Sequence, residues 1–169
     1  MKLVEFVPPV KHPLWKLCLQ MGITEVIVKV NPEPVMTALE NGYIPVVSTV
    51  AQGVDADTAY NINADTSAAQ LAVALGAEKL ILLTDIRGLL RDPKDEETLI
   101  NVVHTYDVPK LIEEGVISGG MIPKVDCCVT AIRQGVKKVI IMDGRVPHSI
   151  LMELLTDEGA GTMVKGDKA

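Results

Sequence analysis

A glycine-rich turn followed by a lysine is the segment of this sequence best suited to bind a phosphate group. Gly119 and Gly120 precede Pro123 and Lys124, and the following residues have the pattern of a helix. Backbone N–H groups at the start of a helix, the helix dipole and a lysine ammonium together favour negative charge at one point. Phosphoryl transfer needs such stabilisation, because its transition state spreads negative charge over the transferring oxygens. Lys124 is therefore the strongest catalytic candidate, and the alternative is a solvated lysine on a loop.

Two asparagines and an aspartate form a second polar group. Asn61 and Asn63 alternate along a short strand-like segment, so both face the same side, and Asp65 follows at the predicted start of a helix. Amide donors and a carboxylate could converge there on a polar ligand. Asn63 or Asp65 could equally cap the helix, although one cap does not require three such side chains.

A third group follows the most apolar predicted strand, at residues 79–83. Thr84 and Asp85 come at its carboxyl end, where open α/β sheets bind ligands. Gly88 would let the backbone approach a planar group such as adenine closely. The alternative is an ordinary turn after a buried strand.

These three groups are predicted to lie on a framework of alternating strands and helices. Short β-branched runs alternate with segments whose apolar residues recur at spacings of three and four. The predicted strands are 26–30, 44–47, 79–83, 136–142 and 162–164; the predicted helices are 31–41, 64–75, 108–114, 149–155 and one that has Pro123 in its first turn and ends near 134. The pattern predicts one α/β domain.

Composition excludes several classes of partner. The 169 residues include 16 Lys+Arg against 22 Asp+Glu, a net charge of −6, which leaves no basic surface for nucleic acid or an anionic membrane. The three cysteines, Cys18, Cys127 and Cys128, match neither a disulfide framework nor a zinc site, which predicts a cytoplasmic location. No apolar stretch reaches the roughly 20 residues that span a bilayer. Neither common glycine-rich nucleotide motif is present, so a nucleotide would need another cradle.

Five motifs, taken in order, resemble the C-terminal half of the N-acetylglutamate kinases, which belong to the amino acid kinase family. They are N-x-N-A-D at 61–65, L-T-D-x-x-G-L-L at 83–90, G-G-M-I-P-K at 119–124, I-x-D-G-R-x-P-H at 141–148 and T-D-E-G-x-G-T-M at 156–163. The resemblance assigns residues 22–165 to the ATP-binding part of such a kinase domain. Residues 1–21 are left as an unmatched leader and residues 166–169 as a tail.

The resemblance implies a three-layer α/β/α sandwich on a mainly parallel sheet. It also implies transfer of the γ-phosphoryl group of ATP, with Mg²⁺ arriving on the ATP, to the side-chain carboxylate of N-acetyl-L-glutamate in arginine biosynthesis. By resemblance, Lys124 stabilises the phosphoryl group, Asp65 orients the catalytic lysines, and Asn61 contacts the acetylated amino acid with Asn63 beside it. The implied nucleotide-binding residues are Thr84, Asp85, Ile86, Arg87, Gly88, Leu89, Leu90, Val116, Ile117 and Ser118.

The sequence departs from this family in its N-terminal region. Family members carry there a strand with another catalytic lysine, a Gly-Gly turn that holds the substrate and an arginine that grips its carboxylate, and residues 1–21 match none of these. We therefore expect activity to require a separate N-terminal half, and a complete enzyme to be a homo-oligomer. Ile140 stands where many arginine-inhibited members have a histidine, so feedback inhibition is not indicated.

Two other interpretations remain open on the sequence. One is a sister kinase of the same family acting on aspartate, glutamate, uridylate or carbamate. The other is a non-catalytic remnant that binds nucleotide or another subunit. A dinucleotide-binding dehydrogenase module is a weaker third option, because its glycine fingerprint is absent.

Overall fold

The computed structural model describes residues 4–7, 26–53, 59–157 and 159–166. The chain divides into two compact units, Met1–Leu75 and Gly76–Ala169. Each unit contains its own four-stranded sheet, and each is described separately below.

In its described residues, the N-terminal unit is a mixed sheet with two α-helices. Its strands are β1 (Val4–Val7), β2 (Val26–Val30), β3 (Val50–Gly53) and β4 (Ala59–Asn61), and its helices are α1 (Glu33–Glu40) and α2 (Ala64–Ala74). The strand order is β2-β1-β3-β4, with β1 parallel to β3 and the other two pairs antiparallel. Ala51 and Ile62 form a small buried core, against which Ile27 and Tyr60 pack. Predicted helices 31–41 and 64–75 and predicted strand 26–30 are thus confirmed.

The predicted strand at 44–47 is wrong. Residues 43–48 have no regular secondary structure, and Ile44 and Val46 are 90% and 94% exposed. The apolar alternation is typical of a strand, but a strand also needs a neighbour that accepts its hydrogen bonds. No described strand pairs with this segment, and Pro45 has no N–H to donate. The third strand begins instead at Val50.

In its described residues, the C-terminal unit has a four-stranded sheet with three α-helices and a short 3₁₀ helix, Glu96–Thr98. Its strands are β5 (Lys79–Thr84), β6 (Val102–His104), β7 (Lys138–Asp143) and β8 (Gly161–Lys165), and its helices are α3 (Val108–Glu113), α4 (Met121–Arg133) and α5 (Ser149–Leu155). The order is β5-β7-β8-β6; β5–β7 and β6–β8 are parallel, whereas β7–β8 is antiparallel. This arrangement confirms the predicted α/β class.

The core of the C-terminal unit lies between β7 and α4. Four successive residues of β7, Val139 to Met142, are fully buried, which explains their uninterrupted apolar run. Helix α4 packs on β7 and β8 through a fully buried stripe of small and β-branched residues: Val125, Cys128 and Ala131. The 13-residue length of α4, about 20 Å, matches the length of six-residue β7, also about 20 Å.

Helix α5 has an inverted amphipathic pattern. It buries its two polar residues, Ser149 and Glu153. Its five large apolar side chains are exposed by 41–78%: Ile150, Leu151, Met152, Leu154 and Leu155. Within the described part of the chain, no helix combines the length and the apolar character needed to cross a membrane.

Candidate active site

Asn61 and Asn63 lie at the end of β4 and at the start of α2. Both are exposed while Ile62 between them is buried, so the predicted alternation is observed. The Oδ1 atom of Asn63 accepts hydrogen bonds from the N–H and the hydroxyl of Thr66, at 3.1 and 3.3 Å. Asn63 is therefore the N-cap of α2, as the alternative interpretation predicted.

The cap does not use the whole amide of Asn63. Asn61 likewise uses only its oxygen: its Oδ1 atom accepts a 3.0 Å hydrogen bond from the hydroxyl of Thr49. Among the residues that the structure describes, neither Nδ2 group donates a hydrogen bond to a protein acceptor. The hydrogen bonds to the two Oδ1 atoms orient the amide groups, so both Nδ2 groups can donate to a carboxylate or carbonyl oxygen of a ligand. Asp65 lies half-buried in the first turn of α2 and makes further polar contacts.

In the C-terminal unit, Thr84 is the last residue of β5, as predicted, and begins a six-residue loop that we call the β5 loop (residues 85–90). The Thr84 hydroxyl accepts a 2.9 Å hydrogen bond from the N–H of Ile86, which turns the chain sharply out of the strand. Asp85 and Arg87 are exposed on this loop, and Arg87 lies 3.6 Å from a carboxylate oxygen of Glu96. The first half of the β5 loop is thus the part able to meet a ligand.

The second half of the β5 loop is anchored in the core. Leu89 is 2% exposed; its N–H donates to the hydroxyl of Thr162 at 2.8 Å, and its carbonyl accepts from the N–H of Ile100 at 2.9 Å. Gly88 is also buried, and Leu90 pairs with Leu99 in an isolated bridge. Because the Leu89 side chain and N–H are both used inside the protein, Leu89 acts as an anchor of the loop.

An ion pair between Asp143 and Arg145, to which the sequence motifs assigned no role, lies beside the β5 loop. Asp143 ends β7 directly opposite Thr84 of the parallel strand β5, and the N–H of Gly144 donates to the Thr84 carbonyl at 2.9 Å. The Arg145 guanidinium donates hydrogen bonds to the Asp143 carboxylate from Nε (3.0 Å) and Nη2 (2.8 Å), and the Arg145 backbone N–H donates to the same carboxylate (2.8 Å). The I-x-D-G-R motif was the signal that could have located this pair.

These bonds shift the titration of both partners. Hydrogen bonds from the Arg145 side chain, and then from its backbone N–H, lower the pKa of Asp143 from 3.8 to about 2. The same hydrogen bond raises the pKa of Arg145, with a smaller contribution from the nearby charge of Asp85. The side chain of Asp143 is only 13% exposed and that of Arg145 is 69% exposed, so the guanidinium faces outward from the carboxyl edge of the sheet.

The glycine turn before α4 reaches the same edge of the sheet. A four-residue link, 134–137, joins the end of α4 to the start of β7, and α4 packs on β7. The helix therefore runs antiparallel to the strand, and since the two have equal lengths, its first turn lies at the level of the carboxyl end of β7. Lys124, in that first turn, is half-buried and has a polar partner.

Open space surrounds the glycines of this turn. Gly119 has φ +54°, and a Cβ added at Gly119 or Gly120 would meet no atom within 4 Å. The preceding residues vary in burial: Val116 is half-buried, Ile117 is 1% exposed with its N–H bonded to the Leu111 carbonyl, and Ser118 is exposed. Ser118 can therefore contact a ligand through its side chain, whereas Ile117 supports the turn.

A cavity of about 190 Å³ elsewhere in the C-terminal unit is less suited to phosphate. It is lined by residues of β6 and α3 together with four charged side chains: Arg91, Asp107, Lys110 and Glu114. Two cations and two carboxylates cancel, so the cavity offers no net attraction to a polyanion. Within the described ranges, no group of three or more His, Cys, Asp and Glu side chains could hold a metal ion.

The C-terminal unit therefore gathers the β5 loop, the Asp143–Arg145 pair and the turn before Lys124 along one sheet edge. Asn61, Asn63 and Asp65 form their own group in the N-terminal unit. Open glycine backbone at the start of a helix, beside Lys124, can bind a phosphate-bearing ligand, and oriented amides can bind a carboxylate.

Comparison with known proteins gives one family. A family model described as the amino acid kinase family matches residues 5–143. The chain is 59% identical over 144 residues to the acetylglutamate kinase of Clostridium beijerinckii, an alignment that covers 85% of this chain and 50% of that protein. It is 54% identical over 150 residues to the acetylglutamate kinase of Desulforamulus reducens, with 89% of this chain and 52% of that protein covered. The chain spans about half the length of the curated relatives it matches.

Solved structures share the fold. An N-acetylglutamate synthase from Neisseria gonorrhoeae, complexed with coenzyme A and L-arginine, is similar with a TM-score of 0.75 and 28% identity, covering 83% of this chain and 32% of that one. An isopentenyl phosphate kinase from T. acidophilum has a TM-score of 0.56 at 18% identity, covering 82% of this chain and 54% of that one, which shows a common fold alone.

Proposed function

This chain belongs to the amino acid kinase family, and on that premise we propose that it is the nucleotide-binding half of an acetylglutamate kinase. The reaction is transfer of the γ-phosphoryl group of ATP to the side-chain carboxylate of N-acetyl-L-glutamate, in the cytoplasm. One observation carries the proposal: more than half of the residues are identical to curated acetylglutamate kinases over most of this chain.

In this proposal the nucleotide lies along the sheet edge of the C-terminal unit. Asp85 and Arg87 of the β5 loop, with Ser118 of the glycine turn, line the site, and Leu89 and Ile117 support it from the core. Lys124 stabilises the negative charge that develops on the transferring phosphoryl group. The open space over Gly119 and Gly120 supports this assignment, because phosphate oxygens can approach the backbone there.

The residues of this site fit Mg²⁺ only as an ion that is bound through the phosphates of the nucleotide. The described residues offer no carboxylate cage for it, and Mg²⁺ commonly keeps several waters while binding substrate phosphates. When bound with ATP, it would neutralise part of the phosphate charge.

The acceptor is assigned to the asparagines of the N-terminal unit. Asn61 and Asn63 have Nδ2 donors suited to the carboxylate and carbonyl oxygens of N-acetyl-L-glutamate, and Asp65 orients the lysine ammonium groups. The exposed apolar segment at residues 43–46 supports a requirement for a further part of the enzyme, since such side chains are normally covered. We expect that part to belong to an N-terminal half, and the complete enzyme to be a homo-oligomer.

The test begins with ATP binding to the purified chain, measured by calorimetry. Lys124→Ala is expected to weaken binding about tenfold or more, because it removes a charge-assisted contact to phosphate. Lys137→Ala is the matched control: Lys137 precedes β7 at the opposite sheet edge, where it pairs with Glu78, and its loss should leave the affinity unchanged. Equal affinities of the two variants would refute the assigned phosphate site.

Turnover distinguishes the proposal from its main alternative. The chain alone is expected to release no ADP in the presence of N-acetyl-L-glutamate, and to do so once the unmatched half of the Clostridium beijerinckii relative is supplied. ATP binding without turnover in that mixture would favour a non-catalytic nucleotide-binding subunit, which the half-length coverage also allows.

A further inference from the structure

A buried threonine of β8, Thr162, anchors the β5 loop through a hydrogen bond. Thr162 is fully buried and lies in register with Ile141 of β7, while β6 pairs with the other side of β8. Its hydroxyl accepts the N–H of Leu89 across 73 residues of sequence, at 2.8 Å. None of the roles assigned so far uses this threonine.

The β5 loop is also packed tightly against the same side chain. A Cβ added to Gly88 would lie 2.6 Å from the Thr162 hydroxyl oxygen and 2.8 Å from Cδ1 of Leu99, and Gly88 has φ +157°. Only glycine therefore lets the loop come close enough for the hydrogen bond at the next residue. A β-branched threonine has few χ1 rotamers, so its hydroxyl direction is defined by the strand.

We propose that Thr162 is a positioning residue of the nucleotide site, which fixes the β5 loop in the conformation that binds ATP. This inference rests on the proposed function and adds a residue to it. Thr162 is buried and acts only through Leu89, and the exposed residues that meet the ligand, Asp85 and Arg87, are carried on the loop it anchors.

Loss of this anchor would lower affinity without removing any ligand contact. A loop that spends only a fraction of its time in the competent conformation binds with an affinity reduced by that fraction. The remaining anchor, from Ile100 to the Leu89 carbonyl, would keep the loop near its place. The effect is therefore a partial loss of affinity with the fold retained.

The experiment compares three variants of the full chain by ATP calorimetry and by amide hydrogen exchange of Leu89. Thr162→Val keeps the shape and removes the acceptor, and should weaken ATP binding about three- to tenfold and speed Leu89 exchange. Thr162→Ser keeps the hydroxyl and should stay within about twofold of the wild type. Val164→Ala, two residues along the same buried strand, should lower the unfolding temperature while leaving the affinity and Leu89 exchange unchanged.

Unchanged ATP affinity in Thr162→Val would overturn the inference, as would an equal loss of affinity in Val164→Ala, since the effect would then be one of general stability. Failure of the wild-type chain to bind ATP would refute the proposed function. Leu89 exchange would then decide the anchoring role alone: faster exchange in Thr162→Val but not in Thr162→Ser supports it, and equal exchange overturns it.

Discussion

Substitutions of Asn63 separate its structural role from its proposed role in binding. The Oδ1 atom caps α2 through Thr66, whereas the Nδ2 group is assigned to the substrate. Asn63→Ala removes both groups. Asn63→Asp keeps an oxygen for the cap and replaces the donor with a negative charge, which is also favourable at a helix N-terminus.

The size of the effect follows from the cap. Replacing an N-cap asparagine by alanine costs about 1 kcal/mol, whereas aspartate is an equally good cap. With a urea dependence of about 2 kcal/mol per molar, Asn63→Ala should lower the midpoint of unfolding by about 0.5 M. Asn61→Ala is the control: its Oδ1 atom accepts only one solvent-exposed hydrogen bond, from the Thr49 hydroxyl, so its loss should cost less than about 0.5 kcal/mol.

The assay is urea unfolding followed through the amide resonances of α2, with N-acetyl-L-glutamate binding measured in the complemented enzyme. Asn63→Asp should unfold like the wild type but bind the anionic substrate much more weakly, because like charges repel. An unchanged midpoint for Asn63→Ala would refute the capping argument. Normal substrate binding by Asn63→Asp would refute the assignment of its Nδ2 group to the substrate.

Three further predictions concern other parts of the chain. Glu153 accepts the N–H of Ala160 at 2.8 Å, so Glu153→Ala should lower the free energy of unfolding by about 1–3 kcal/mol, whereas Glu153→Gln, which keeps an acceptor, should lose less in denaturant titration. The Asp143 carboxyl should titrate near pH 2 by NMR and return towards 3.8 in Arg145→Met, with Arg133→Met as the unchanged control. Because this pKa is lowered by folding, the stabilisation from the pair is present above pH 3.8 and is lost as the pH falls towards 2; an unshifted midpoint in Arg145→Met would contradict the pairing. The double variant Ile44→Ser with Val46→Ser should leave the unfolding midpoint unchanged, since both residues are at least 90% exposed. It should weaken association with the complementary half, measured by sedimentation, and unaffected association would contradict the proposed contact.

Much of the local structure could be predicted from the sequence because its causes are local. Gly42 and Gly76 adopt positive φ after α1 and α2, so the predicted helix ends were correct. The apolar run of β5 placed Thr84 at the carboxyl end of a strand. The resemblance of its motifs identified the amino acid kinase family, because the residues of a motif and the order of the motifs can be read from the sequence without any knowledge of tertiary contacts.

Features that depend on distant partners could not be read in this way. Residues 44–47 have the pattern of a strand, yet a strand exists only where a neighbour completes its hydrogen bonds, and no local pattern shows whether that neighbour is present. Leu89 was expected in the nucleotide site, but its burial and its bond to Thr162 depend on a strand 73 residues away.

The sequence by itself therefore determined the α/β class and the helix boundaries, which follow from short-range periodicity, and the family, which followed from the resemblance of its motifs. Only the tertiary structure decided which of the candidate site residues face outward and which serve as anchors. The physical reason is that burial and hydrogen bonding of Leu89, Asp143 and Thr162 arise where separate strands meet, and the free energy of such contacts is a property of the assembled sheet.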